Sequence, residues 1–430
     1  MTRGNGSGLR VGAVLLAVVL LAAPPAEAAW TLLQNGTGQD AGYFDISAVD
    51  GRHAIAVGTH DRGDGQTESV IAVTTNGTSW ATSRPDGGFP NPMGMELYAC
   101  VEMVTTELAF VGGMGKLLYT TSGGAGWSGY REDGWGFLRG PMITGISFAD
   151  ATNGILVGSG DVVRKTTDGG ATWTPLDSPA PGEDLGGVLF QAGNRVWVWG
   201  GSSVTDPDTR EVTGYEGGLL ARSADGGATW QVVFQGEARA IQQVFMLNGT
   251  EGWMVSNSMS GPAFERTTDG GATWTPLAVP AAGAGALDAL WDVVFFDRCE
   301  GFLLGAAGDV TGLFYTTDRG ASWSQVDLSG IRLDLPFPFP VPLSMLEVEF
   351  PSRDVGFGGG KFESLLSYSA DGPGPDCGGS LPGDGGTTPV GGDGDAGCGC
   401  RAAGTTALAP FGILGAFFAL VLLLRRRTRP

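Results

Sequence analysis

Four aspartates occupy the same position of a recurring octapeptide, and carboxylates repeated in this way could hold a metal ion or a ligand. The octapeptide Thr-Thr-Asp-Gly-Gly-Ala-Thr-Trp occurs unchanged at residues 166–173 and 267–274, with close variants at 223–230 and 316–323. The aspartates are Asp168, Asp225, Asp269 and Asp318. Each carboxylate could instead accept hydrogen bonds from N–H groups of its own Asp-Gly turn. We favour this structural role, because the most repeated residues of a repeat protein usually hold the repeats together.

A tryptophan ends each octapeptide and offers a large flat surface for burial against a neighbouring sheet. These residues are Trp173, Trp230, Trp274 and Trp323. The motif resembles the Asp box, which lies between the third and fourth strands of certain propeller blades. Two degenerate copies, at 74–80 and 120–127, replace the aspartate with Asn76 and Ser122.

Other chemistry has weak support in the sequence. The chain has two histidines, His53 and His60, and no closely spaced His or Cys pair typical of a transition-metal site. A loop with Asp61, Asp64 and Glu68 could bind calcium, but it lacks the EF-hand spacing and is better explained as a solvated turn. We therefore predict no catalytic residue, no cofactor and no metal ligand.

The repeat predicts the fold. Copies begin at residues 74, 120, 166, 223, 267 and 316, roughly every 50 residues, and a partial copy begins at 369. This period suits one four-stranded sheet per repeat, as in a β-propeller. The partial copy stops before its fourth strand, whereas residues near Trp30 look like the end of a box. We predict an all-β, seven-bladed propeller over residues 30–371, closed by the N-terminal strand.

A longer pattern of one phenylalanine and spaced glycines precedes the box. It is Phe148, Gly154, Gly158 and Gly160 before residues 166–173, and it recurs with Phe296, Gly301, Gly305 and Gly308 before 316–323. This pattern resembles the Ycf48/Hcf136 family, seven-bladed propellers that assist photosystem II assembly. The resemblance implies the fold. The assembly role is not carried over, because that family has an arginine-lined patch and this chain has net charge −20.

Sialidases and related glycoside hydrolases also contain Asp boxes, so a glycoside hydrolase is the alternative function. Sialidases carry a Tyr/Phe-Arg-Ile-Pro motif near the first blade, and the nearest fragment here is Ser83-Arg84-Pro85. Paired carboxylates at a suitable separation could still exist. We nevertheless predict that the protein is not an enzyme.

The chain ends predict export and attachment. Residues 1–29 have the basic start, apolar core and small-residue cleavage site of a signal peptide. Residues 372–404 form a flexible linker rich in Gly, Pro and Asp, and 405–430 contain an apolar span followed by an arginine cluster. With Cys398, this order resembles the myxobacterial-type C-terminal sorting signal (MYXO-CTERM). The resemblance implies a cell-surface protein whose single transmembrane helix is removed, with Cys398 as the lipid-bearing or processing residue; a retained single-pass anchor is the alternative.

Charge and cysteine content narrow the remaining possibilities. The net charge of −20 argues against nucleic acid as a partner. Cys100 lies in an apolar strand and is expected to be a buried thiol. Cys299 and Cys377 fall on the same face of adjacent predicted blades, so we predict a disulfide bond between them.

Recognition is expected on the face opposite the boxes. Aromatic residues occur on its long connections: Tyr130, Trp135, Phe137, Phe337 and Phe339. Aromatic side chains on rigid loops are common in protein and carbohydrate recognition, although these could instead cap the core. We predict a monomeric, exported and membrane-attached binding or scaffold module for an envelope or extracellular protein or glycan.

Overall fold

The computed structural model describes residues 29–34, 42–61, 67–83, 98–130, 141–206, 209, 211–282, 285–308, 310–333, 335 and 341–370. The described residues form strands and turns, and they contain no helix that could cross a membrane. The predicted signal peptide, linker and C-terminal span lie outside these residues, as does most of the loop proposed for calcium.

Seven four-stranded antiparallel sheets form the blades of a β-propeller, as predicted. The strands of the first four blades, from the innermost outward, are these: blade one β2 (Gly42–Ala48), β3 (Ala54–Asp61), β4 (Thr67–Thr74) and β5 (Ala81–Ser83); blade two β6 (Tyr98–Met103), β7 (Ala109–Gly113), β8 (Lys116–Thr120) and β9 (Ser128–Tyr130); blade three β10 (Ile143–Phe148), β11 (Gly154–Gly158), β12 (Val163–Thr166) and β13 (Thr174–Pro175); blade four β14 (Leu185–Gln191), β15 (Arg195–Thr205), β16 (Val212–Ser223) and β17 (Gln231–Glu237).

Two short hairpins lie in the connections between the last three blades, one between blades five and six and one between blades six and seven. Blade five is β18 (Arg239–Met246), β19 (Gly252–Ser258), β20 (Gly261–Thr267) and β21 (Thr275–Leu277); the first hairpin is β22 (Ala281–Ala282) and β23 (Gly285–Ala286); blade six is β24 (Ala289–Phe295), β25 (Gly301–Ala307), β26 (Val310–Thr316) and β27 (Ser324–Gln325); the second hairpin is β28 (Arg332–Leu333) and β29 (Val341–Pro342); blade seven is β30 (Met345–Ser352), β31 (Val355–Gly360), β32 (Leu365–Ser369) and β1 (Ala29–Gln34).

The N-terminal strand closes the ring. Strand β1 pairs antiparallel with β32, and Trp30 lies opposite Tyr368. The rings of these two residues are 5.2 Å apart, and Phe350 contacts Trp30 edge-on at 5.9 Å. This pairing confirms the predicted closure, and it joins the two ends of the repeat region within one sheet.

The two faces of the disc differ in their connections. In blade three, Gly169 of the box donates a hydrogen bond to the carbonyl of Thr152, in the turn between the first and second strands. Gly226 and Gly270 make equivalent bonds in blades four and five. The boxes and the first turns therefore share one side, here called the box face. The turns between second and third strands and the connections between blades lie on the other side, the loop face.

The hydrophobic core consists of layers between adjacent blades. Ile155 and Val157 of blade three pack with Val188 and Val196 of blade four, all fully buried. Alternating apolar residues on both sides of each sheet give this arrangement, because every blade is covered by its two neighbours. Cys100 is fully buried as a free thiol, as expected from its apolar strand.

Candidate functional site

The Asp-box carboxylates are held by donors of their own turns. Asp168 Oδ1 accepts hydrogen bonds from the Thr166 hydroxyl at 2.8 Å and from Thr172 N at 2.9 Å. Its Oδ2 accepts one from the Thr172 hydroxyl at 2.6 Å. The same three bonds recur around Asp225, Asp269 and Asp318. The carboxylate oxygens are thus used within the turn, which agrees with a structural role.

These bonds stabilise the ionised form of the aspartates. The hydroxyl and backbone N–H of Thr229 lower the pKa of Asp225 to about 2, and those of Thr273 lower the pKa of Asp269 to about 2. Both side chains are exposed at the rim. No group of three or more His, Cys, Asp or Glu side chains that could hold a metal ion occurs among the described residues.

The box tryptophans join each blade to the preceding one. Trp173 of blade three contacts Phe110 of blade two and Phe148 edge-on, both at 5.9 Å. Trp323 of blade six contacts Phe264 of blade five at 5.6 Å. The remaining two make comparable contacts: Trp230 packs on the core layer between blades three and four, and Trp274 packs on the layer between blades four and five.

Buried carboxylates near the central channel serve the backbone of the next blade. Asp45 Oδ2 accepts a hydrogen bond from Val101 N at 2.7 Å, and Glu102 Oε1 accepts one from Phe148 N at 3.1 Å. Ser47 and Ser147 likewise accept hydrogen bonds from Met103 N and Phe190 N. The Thr144 hydroxyl and the Gln191 amide instead donate to the carbonyls of Leu185 and Met246. An innermost strand has an edge without a partner strand, so each blade satisfies the edge of its neighbour with side chains.

A Tyr–Glu–Arg group of the kind that glycosidases use does exist, but it is buried on the box face. The Tyr315 hydroxyl donates to Glu300 Oε1 at 2.6 Å, and Arg353 Nε contacts Glu300 Oε2 at 2.6 Å. Glu300 has no exposed surface. Burial and the adjacent Glu300 raise the pKa of Tyr315, and burial raises the pKa of Tyr368 to about 12. The group links blades six and seven and offers no access to a substrate.

The residues predicted to form a ligand face are only partly described. Tyr130 ends β9, where its backbone pairs with Leu117. Trp135, Phe137, Phe337 and Phe339 lie outside the described residues, so their grouping stays a prediction. The two segments that flank Phe337 and Phe339 are β28 and β29, which pair as a hairpin on the loop face.

The predicted disulfide bond is described at one end. Cys299 is disulfide-bonded and almost fully buried, in the first turn of blade six. Because Cys377 lies outside the described residues, its pairing with Cys299 stays a prediction, and so does the processing role of Cys398.

Sequence reasoning missed a ring of β-bulges at the loop-face end of the channel. Every innermost strand skips one residue near its start. The skipped residues are Phe44, Ala99, Thr144, Gly186, Gln242, Trp291 and Leu346. Bulges re-aim side chains and are frequent next to functional sites. The skipped positions share no residue type, so the sequence gives little indication of the bulges.

Sequence reasoning also missed a polar contact at the ring-closing seam. His60 of blade one contacts Glu363 of blade seven, with 2.6 Å between Nδ1 and Oε1. Phe362 and Glu363 adopt positive φ of 60° and 56°, a region that side-chain-bearing residues rarely enter. His60 and Glu363 are 303 residues apart in sequence, which is almost the whole length of the propeller.

The comparisons with known proteins agree with the fold. No family model matches the chain. The chain is similar to Ycf48 proteins. A stretch of 142 residues is 29% identical to the photosystem II assembly lipoprotein Ycf48 of Synechococcus sp. (strain CC9902), covering 32% of this chain and 38% of that protein. The match therefore spans well under half of that relative's length.

Solved structures with the same architecture are more distant in sequence. Ycf48 bound to a D1 peptide has a TM-score of 0.56 at 18% identity, over 82% of this chain and 99% of that one. Ycf48 from Cyanidioschyzon merolae has a TM-score of 0.56 at 17% identity, over 79% and 99%. A virginiamycin B lyase from Staphylococcus aureus reaches 0.55 at 12% identity, over 80% and 100%. Since an enzyme is among them, this level of likeness shows the fold alone.

Proposed function

We propose that this protein is a non-catalytic binding or scaffold propeller, exported and attached at the cell surface, which recognises an envelope or extracellular partner. The observation that carries the proposal is the contrast between the two faces. Box-face carboxylates are engaged within turns, and the channel carboxylates Asp45 and Glu102 bond to backbone N–H groups. The connections on the loop face include the paired hairpins β15–β16, β22–β23 and β28–β29.

A protein is the partner that we favour over a glycan. The structural relatives include a Ycf48 bound to a peptide, and the curated relative is an assembly protein. Propeller loop faces present several connections on a rigid ring, which suits recognition of another chain. We take the class of partner, a protein, from these relatives. We do not propose a photosynthetic setting for this chain.

Export and attachment are proposed from the sequence of the two chain ends. The apolar core within residues 1–29, the polar linker and the terminal arginine cluster support export and attachment at the cell surface. Labelling intact cells with a membrane-impermeant amine or carboxyl reagent tests it. We expect the full-length protein to be labelled as strongly as a known surface protein, and labelling only after lysis would contradict the proposal.

Photo-crosslinking from the two faces tests the binding function. A photoreactive residue replaces Met259, 63% exposed on the loop face, and in a matched variant it replaces the exposed Glu107 on the box face. In cells, we expect a defined adduct from position 259 and none from 107. Adducts from 107 alone, or from neither position, would contradict the proposed face.

Enzyme assays test the alternative. We expect the full chain not to cleave sialosides or β-glucans. Turnover that disappears when one carboxylate is replaced would establish a glycoside hydrolase instead.

A further inference from the structure

A strained turn on the loop face lies at the seam between blades seven and one. Residues 361–364 connect β31 to β32, the second and third strands of blade seven. Phe362 and Glu363 both lie in the left-handed region, with φ of 60° and 56°. A Cβ disfavours this region, and such conformations persist only where the surrounding structure holds them. The turn therefore depends on the contacts that its side chains make.

Glu363 joins this turn to blade one. Its side chain is 4% exposed, and Oε1 lies 2.6 Å from Nδ1 of His60 on β3. The carbonyl of Glu363 accepts a hydrogen bond at 3.3 Å from the side chain of Gln34, the last residue of β1. The same amide group donates to the Tyr43 hydroxyl at 3.4 Å. The contact between His60 and Glu363 thus holds the strained turn beside the strand that closes the ring.

The charged groups around His60 come from two neighbouring elements. Glu363 approaches from blade seven, and Lys361 is the cationic residue of the same turn. Glu68 lies directly opposite His60 in the β3–β4 register, so its side chain is on the same face of the sheet. A protonated His60 therefore forms an ion pair with a buried carboxylate, and a second carboxylate lies on the neighbouring strand.

The strength of this contact changes with the protonation of His60. Histidine is the side chain whose charge ordinarily changes between about pH 5 and 8. A hydrogen bond between a charged donor and a carboxylate is roughly twice as strong as a neutral one. When the imidazole is neutral, at most an uncharged N–H donates to Glu363. The restraint on the turn is therefore strongest at mildly acidic pH, and part of it is lost as the pH rises.

We propose that His60 and Glu363 form a pH-sensitive latch, here called the seam latch, which holds the turn and the end of β1 in place at mildly acidic pH and loosens them at alkaline pH. The strained turn supplies the second state, because release of Glu363 allows its backbone to return to negative φ. The seam latch goes beyond the proposed binding function, since it acts on the closure of the ring whatever the loop face binds.

Hydrogen exchange of the full-length protein in detergent tests the seam latch. The N–H groups of Gly360, Lys361 and Ser364 donate to the carbonyls of Ser364, Ser344 and Lys361, so their exchange reports opening of the turn. Mass spectrometry gives protection factors after correction for the intrinsic pH dependence of exchange. We expect protection in the peptide with these residues to fall at least about threefold from about pH 6 to 8, and protection in β10 to stay unchanged.

The chain has two histidines, which provide matched variants. His60→Gln and Glu363→Gln should each show the lower protection at both pH values. His53→Gln is the control, because His53 contacts Asp50 within one turn on the box face, and this variant should keep the pH dependence of the wild type. If His60→Gln does not fold, Glu363→Gln decides the outcome. Equal protection of the wild type at both pH values, or a pH dependence that survives in these two variants, would overturn the latch.

Discussion

The carboxylate of Asp168 illustrates how a residue with chemical potential becomes part of a turn. Two hydroxyls and one backbone N–H from within seven residues of chain occupy its oxygens. Such an aspartate replaces water as the acceptor for its own turn, and it therefore fixes the hairpin between two outer strands. Asp45 does the same between blades, since its Oδ2 bonds to Val101 N. The repetition of aspartate in the boxes is explained by hydrogen bonding within each turn.

The box aspartates should make stability depend on pH in the acidic range. Asp225 and Asp269 have a pKa of about 2 in the folded protein, below the usual 3.8, because threonine hydroxyls and N–H groups bond to the ionised form. Their contribution is therefore fully present above the unfolded value and is lost as pH falls towards 2. We expect the double variant Asp225→Asn/Asp269→Asn to show a flatter decline of the unfolding midpoint between about pH 5 and 2. Urea titrations across this range measure it, and parallel curves would contradict it.

Two kinds of strand edge find hydrogen-bond partners in the propeller. Side chains bond to the edges of the innermost strands, and β1 pairs with β32 where the ring would otherwise stay open. Edge strands present unpaired N–H and C=O groups, which are costly when buried. Innermost strands receive side-chain hydrogen bonds from the preceding blade, as β6 does from Ser47 and β14 from Ser147, and β32 receives a whole strand.

Closure by β1 predicts a local effect of Trp30→Ala. The indole contacts Tyr368 and Phe350, so its removal weakens the pairing of β1 with β32. We expect faster hydrogen exchange in β31 and β32 and unchanged exchange in blade three, measured by mass spectrometry. Hydrogen exchange that is faster in all blades alike would contradict a local role of β1.

Glu300 and Arg353 predict a strong effect at the junction of blades six and seven. Arg353→Met leaves a carboxylate with no exposed surface without its cation, which typically costs about 3–5 kcal/mol of unfolding free energy. Arg298→Met is the control: that side chain is 47% exposed, and its partner Glu251 keeps Arg266, so we expect a loss below about 1 kcal/mol. Chemical denaturation compares the two, and equal losses would contradict the argument.

For the whole molecule, the closed ring places the two ends of the repeat region in one blade and separates two unlike faces. The described chain ends with β32, whose last residues lie at the box face beside blade six. Cys299 is in the first turn of that neighbouring blade. A bond from Cys299 to a cysteine beyond β32 would join the segment that leaves the propeller to blade six as well as to blade seven.

The predicted Cys299–Cys377 bond can be tested on the intact protein. Non-reducing peptide mapping should recover the two cysteines in one linked peptide pair, and Cys299→Ser should lower the unfolding free energy by about 2–4 kcal/mol. Cys100→Ser, which changes a buried thiol that forms no disulfide, should leave the linked pair intact. Recovery of Cys299 linked to Cys398 instead would assign a different partner.

The sequence by itself determined the repeat, the strands and the closure of this protein. Box turns, apolar runs such as β10 and the tail-like residues around Trp30 are local patterns, and each blade repeats the same local physics. The proposed export and attachment rest on the composition of the chain ends alone.

Only the tertiary structure decided which polar groups meet across blades. Asp45 and Val101 are 56 residues apart, and His60 and Glu363 are 303 apart, so no local pattern relates them. The bulge on each innermost strand sets which side chain reaches the next blade, and a shift of one residue would change every such contact. For this reason the buried Glu300–Arg353 pair became apparent only when the blades were assembled into a ring.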